Sequence, residues 1–186
     1  MNLRRGFKTE ANAIAREIRH ELKLRSDDPL DPWALAGHLD IPVWCLSDYQ
    51  SEAPQMVKHF TRVEQGVFSA ITVFDGTARV IVHNDSHSRG RQASNLAHEL
   101  SHGLLLHPPA PALDEGGCRD WDKTLESEAT WLGGALLISD EAAVLIARQG
   151  WTVSDAAARY GVSERMMKWR LDITAARTRV TRASRY

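Results

Sequence analysis

The chain has 186 residues, with 23 Lys plus Arg against 24 Asp plus Glu and a formal net charge of −1. A hydrophobic fraction of 43% and a charged fraction of 25% describe one folded domain, or one domain with a small appendage, and exclude a disordered chain. Two cysteines, Cys45 and Cys118, exclude a disulfide scaffold; no apolar run approaches the ~18 residues of a membrane span, so the expected location is the cytoplasm and no membrane partner is expected.

Arg4 and Arg5 could open a signal peptide, but Lys8, Glu10, Arg16 and Glu17 interrupt the region that follows. Instead, Ala11, Ile14, Ala15, Ile18 and Leu22 recur at helical spacing and predict a helix over 7–24. Ser26-Asp27-Asp28-Pro29 breaks it, and Asp31 with Pro32 has the form of an N-cap followed by a first-turn proline, opening a short helix through Leu39. Residues 41–46 form a strand candidate, with Pro42 favouring a sheet edge. Residues 48–66 are polar and poorly patterned. The β-branched runs 67–74 and 78–83 flank Asp75-Gly76-Thr77, a hairpin signal. Residues 89–107 read as one helix with Ala93, Leu96, Ala97, Leu100 and Leu104 on its apolar face, stopped by Pro108-Pro109. A loop is expected over 108–122, then helices from about Lys123 to Ile138 and from Asp140 to Gln149, the latter capped by Ser139. From Trp151 onward two short helices join at Gly161.

Within the helix over 89–107 stands His98-Glu99-Leu100-Ser101-His102. Positions i and i+4 share a helix face, so two imidazoles can converge on one metal ion. Glu99 points sideways from that pair, where it can take a proton from an attacking water and deliver it to a leaving amine. With 8 His and 11 Glu in the chain, a random match has a probability of about 2%. The apolar flanks favour a buried active-site helix over two incidental histidines. Catalytic zinc takes three protein ligands. On the next long helix Glu126 shares a face with Ala129, Leu132 (or Gly133) and Leu136, while Glu128 is turned about 200° away. This favours Glu126 as third ligand and leaves Glu128 with little expected effect. Gly133-Gly134 costs that helix about 2 kcal/mol of propensity, which a close approach of two helices would justify.

Asn84, the run His98 to His107, and Glu126-x-Glu128-Ala129 followed by Leu136-Leu137-Ile138 together resemble the ImmA/IrrE family of zinc metallopeptidases. The N-terminal amphipathic helix, the segment Pro29-Leu30-Asp31-Pro32 and the hairpin resemble that family too. The resemblance implies a zinc site of the gluzincin type, with His98, His102 and Glu126 as ligands of Zn2+ and Glu99 as base. It also implies site-specific cleavage of a repressor carrying a helix-turn-helix domain, which derepresses a mobile element or a stress response. The chain departs from the family's common residues at Thr130, Leu132, Gly133-Gly134 and Ile138-Ser139; none of these removes a ligand or the base.

Residues 153–171 have the layout of a helix-turn-helix, with Ala157 and Val162 inside, Gly161 at the turn and Ser163 as cap. From 159 to 186 the charge is +6 and the rest of the chain carries −7. Arg165, Lys168 and Arg170 could then touch nucleic acid, with weak, salt-sensitive binding expected. The bland reading is a helical subdomain packed on the core. His83, His87 and His107 flank the site; one could orient a ligand or stabilise an oxyanion, although capping and surface roles are commoner. The expectation is therefore an α+β fold: a metallopeptidase core over 1–150 with a small antiparallel β-sheet, and a helix-turn-helix-like segment over 151–186. Two other classes stay open, a DNA-binding regulator with structural zinc and a partner-binding protein with an inactive site.

Overall fold

The computed structural model describes residues 2–76, 78–108 and 122–183. Residues 109–121 of the expected loop, with Cys118, lie outside these, as does the tail beyond 183.

Helix α1 (Phe7–Glu21) buries Phe7, Ala11, Ala15 and Ile18 along one stripe. Helix α2 (Pro32–His38) is capped by the Asp31 side chain, which accepts from Trp33 N. Strand β1 (Val43–Cys45) leads through a 3-10 turn into helix α3 (Pro54–Lys58) and a π turn over His59–Val63. These short helical pieces occupy the stretch that showed no periodicity. The hairpin follows as β2 (Ala70–Asp75) and β3 (Ala78–His83).

The sheet order is β1-β3-β2, with β2 antiparallel to β3 and β1 parallel to it. The sheet is thus mixed, not antiparallel as expected. The connection between β1 and β3 contains α3 and the whole of β2, long enough for the crossover that a parallel neighbour requires. Pro42 precedes an edge strand, where its missing N–H leaves no ladder bond unmade.

Helices α4 (Arg89–Leu104) and α5 (Lys123–Leu137) are the centre of the fold and contribute to both apolar clusters. One cluster joins them to α1, α2 and the sheet through Phe7, Leu35, Ile81, Leu96, Leu100 and Leu132. The other joins them to helices α6 (Asp140–Gln149), α7 (Val153–Tyr160), α8 (Glu164–Ile173) and α9 (Ala176–Ala183). A third C-terminal helix, α9, thus follows the expected pair; Ala175, with φ +50°, separates it from α8. Between α7 and α8, Gly161 takes φ +64°, Val162 is buried and the Ser163 hydroxyl accepts from Met166 N.

The two glycines of α5 have the close contacts that their propensity cost called for. A Cβ at Gly133 would stand 3.2 Å from the Ala97 backbone and from His98 N, so α5 rides directly on the metal-motif turn of α4. A Cβ at Gly134 would meet the Trp169 ring at 2.4 Å. Gly90, in the first turn of α4, is closer still to backbone: its Cβ would lie 2.6 Å from Ser163 N and 2.7 Å from Val162 C. Gly90→Ala is expected to cost about 1–2 kcal/mol, an overpacking penalty that exceeds the ~1 kcal/mol gain in helix propensity, read as a lower urea midpoint.

Because α5 ends inside the protein, its last carbonyls cannot reach water. Two buried arginines take carbonyls at this end. Arg19 of α1 donates to Ala135 O at 3.4 Å and to Leu136 O at 2.7 Å, and Arg170 of α8 donates through Nε to Ile138 O at 3.0 Å. The negative end of the helix dipole favours cations there. Burial lowers both guanidinium pKa values to about 10, which leaves them charged at neutral pH. This corrects one expectation: Arg170 is 0% exposed and closes a helix end, so it does not face nucleic acid. Arg165 and Lys168 are exposed.

Candidate metal centre

His98 and His102 lie one turn apart on α4, which Leu96, Ala97 and Leu100 anchor in the core. Their Nε2 atoms are 3.1 Å apart. Glu126, in the first turn of α5, reaches across: Oε2 lies 3.2 Å from His98 Nε2 and Oε1 3.5 Å from His102 Nε2. These three residues form a group that could hold a metal ion. The spacings fit the group. Ligand atoms 2.0–2.1 Å from a tetrahedral zinc lie roughly 3.3–3.4 Å from one another. Two imidazoles and one carboxylate are also a catalytic zinc donor set, whereas calcium and magnesium prefer oxygen alone.

Asp122 sets the start of α5: its carboxylate accepts from Thr124 N and Leu125 N, which places Glu126 in the first turn. On α4, Glu99 leaves the ligand face and meets the sheet, where the Thr72 hydroxyl of β2 donates to Glu99 Oε2 at 2.6 Å. Thr72 carries no sequence signal; only the packing of β2 on α4 brings it there. His98 Nδ1 faces Thr130 Oγ1 at 3.4 Å.

Glu128 corrects the sequence reading. Its side chain does leave the face of Glu126, yet it is 4% exposed. The N-terminal segment and the end of α4 cover that side, with Arg4 Nε 3.1 Å from Oε1 and His107 Nε2 3.7 Å from Oε2. A periodicity argument assigns a single buried face, whereas α5 is enclosed on several. Of the three flanking histidines, His107 reaches the site: its Nδ1 is 2.9 Å from His102 Nδ1. His83 instead contacts Cys45 Sγ at 3.6 Å, and His87 Nε2 bonds to Gln65 O at 2.7 Å.

The family model for the IrrE N-terminal-like domain, a peptidase family, matches residues 50–172. The chain belongs to this family. It is thus a metallopeptidase by family, and the matched span holds β2, β3 and α4 through most of α8, including the His98–His102–Glu126 cluster. No curated protein sequence matches the chain. Among the described residues no single helix is long and apolar enough to cross a membrane.

Burial, and then the neighbouring His98, push the His102 pKa down to about 4, and burial also lowers His107 and His83. A neutral imidazole offers the lone pair that a metal ligand needs. The same shifts make chelator-treated protein acid-sensitive. An unfolded chain takes up protons near pH 6.5 that the folded histidines refuse, so stability is fully present above pH 6.5 and falls as pH drops toward 4. His102 is expected to contribute a loss of order 2 kcal/mol. Urea midpoints of chelated protein at pH 7 and pH 5 check this; equal midpoints would contradict it.

Proposed function

We propose that this chain is a zinc-dependent endopeptidase that cuts a helix-turn-helix repressor in the cytoplasm and so derepresses a mobile element or a stress response. The observation that carries the reading is the triangle of His98 Nε2, His102 Nε2 and Glu126 carboxylate oxygens, 3.1–3.5 Å on a side. These residues would hold Zn2+. When bound, zinc supplies Lewis acidity that lowers the pKa of a coordinated water toward about 7 and polarises a carbonyl.

The protein's own groups do the rest. Glu99, oriented by Thr72, accepts a proton from the attacking water on its carboxylate and passes it to the leaving nitrogen. Strand β2 is a sheet edge and exposes Val73 and Phe74, so an extended substrate segment can lie beside Glu99. A flexible stretch of the repressor satisfies this; a packed helix does not. With Arg170 withdrawn into the core, any nucleic-acid contact falls to Arg165, Lys168 and the exposed arginines of α9, a modest charge for which weak, salt-sensitive binding is expected. This weighs against a DNA-binding regulator, as does a donor set that lacks the fourth protein ligand of a closed structural site among the described residues.

The test is to sequence the neighbouring reading frame for a small helix-turn-helix protein and co-express it with this chain. One or two discrete fragments are expected, absent after chelation of the purified mixture and restored by Zn2+. An intact repressor beside zinc-loaded protein would overturn the substrate assignment.

A further inference from the structure

Behind His102, on the side away from Glu126, stands a second row of groups that the peptidase chemistry does not use. His102 Nδ1 lies 2.9 Å from His107 Nδ1, His107 Nε2 lies 3.7 Å from Glu128 Oε2, and Glu128 Oε1 lies 3.1 Å from Arg4 Nε. The His107 and Glu128 side chains are 6% and 4% exposed. Arg4 in turn makes two 2.7 Å hydrogen bonds to Glu10. The row therefore runs from the site, through the end of α4 and the buried side of α5, to the N-terminal segment.

We propose that His107 and Glu128 are positioning residues that set the tautomer and the ring orientation of His102. The inference rests on the metal site proposed above. Two facing Nδ1 atoms at 2.9 Å require one donor and one acceptor. If His102 Nε2 is to offer its lone pair to a metal, its proton must sit on Nδ1, which makes His102 the donor and His107 Nδ1 the acceptor. His107 then carries its own proton on Nε2, facing the Glu128 carboxylate. At 3.7 Å that contact is longer than a hydrogen bond, but the negative charge still favours the proton on that side. Arg4 pairs with the other oxygen of Glu128 at 3.1 Å, which leaves Oε2 turned toward His107. Metal-ligating histidines commonly donate their second nitrogen to a carboxylate or carbonyl; here an imidazole is interposed between His102 and the carboxylate. The geometry also gives a partner to each ring nitrogen of His107, whose side chain is only 6% exposed three residues beyond α4.

The test measures Zn2+ affinity of the full chain by competition with a chromophoric chelator. His107→Leu, which has no acceptor, is expected to weaken Zn2+ binding by about 10- to 100-fold at unchanged stoichiometry. His107→Gln, whose amide oxygen can accept from His102 and whose amide nitrogen can face Glu128, should recover most of that loss. Glu128→Gln, isosteric but uncharged, should lose about tenfold. A packing role would lower the stability of chelated protein and leave affinity alone, so thermal melts of chelated variants accompany the titration. Wild-type Zn2+ affinity in both Glu128→Gln and His107→Leu would overturn the relay while leaving the metal site standing. Equal losses in His107→Leu and His107→Gln would also overturn it. If His107→Leu does not fold, Glu128→Gln decides alone. No Zn2+ binding by the wild type would overturn the site and the relay together.

Discussion

Glu99→Gln is expected to leave a folded, zinc-loaded protein whose cleavage rate falls by at least about 10²-fold. Attack on a peptide bond needs a proton acceptor beside the water. Glu99 sits on α4 between the two candidate ligands, turned away from their face and held at Oε2 by Thr72. The amide of Gln keeps the size and can still accept from the Thr72 hydroxyl, but it cannot take the proton. Because Glu99 is not in the ligand triangle, zinc content should stay near one mole per chain. The check is a side-by-side gel of repressor cleavage by wild type and variant, with metal analysis of both. Equal cleavage would remove Glu99 as base; lost zinc would mean that its role is to bind. Thr72→Val should reproduce a smaller part of the defect, since it frees the carboxylate without removing it.

The second large effect is loss of metal. His102→Ala removes one corner of the triangle and is expected to abolish stoichiometric zinc and with it all cleavage. Glu126→Gln keeps the shape of α5, where Asp122 caps the helix regardless, but exchanges a charged donor for a neutral amide. Zinc affinity should then fall sharply while the chelated protein remains as stable as wild type. Elemental analysis after dialysis reads both variants. Zinc retained by His102→Ala would sink the ligand assignment. The two glutamates separate by size of effect: Glu126→Gln acts on the metal directly and Glu128→Gln only through His107 and His102.

Local rules made much of this molecule legible. The i, i+4 spacing of His98 and His102 and the apolar stripe around them need nothing beyond helix geometry, and the structure places the two Nε2 atoms 3.1 Å apart. Caps at Asp31, Ser139 and Ser163 act over two or three positions, so they too can be read along the chain. The antiparallel hairpin follows from β-branched runs around Asp75-Gly76. Where the chain shows no period, as over 48–66, the helical pieces are held by buried Val57, by Asn84 Nδ2 donating to Phe60 O, and by the local bond from the Thr61 hydroxyl to Val57 O. The direction of β1 likewise depends on a crossover, which no window of neighbouring residues records.

The same division runs through the site. Sequence by itself determined which residues could bind a metal and which could move a proton, because donor chemistry and helical phase belong to the residue and its near neighbours. Only the tertiary structure decided what stands behind them. Thr72 reaches Glu99 because β2 packs on α4; Gly133 lets α5 sit against the His98 turn; Arg170, charged and therefore expected on the surface, closes the C-terminus of α5. Glu128 and His107 acquire their burial from the N-terminal segment and the end of α4. Each of these depends on surfaces more than twenty residues apart in the chain, and the energy of such contacts comes from packing and desolvation, which a residue's own propensity does not encode.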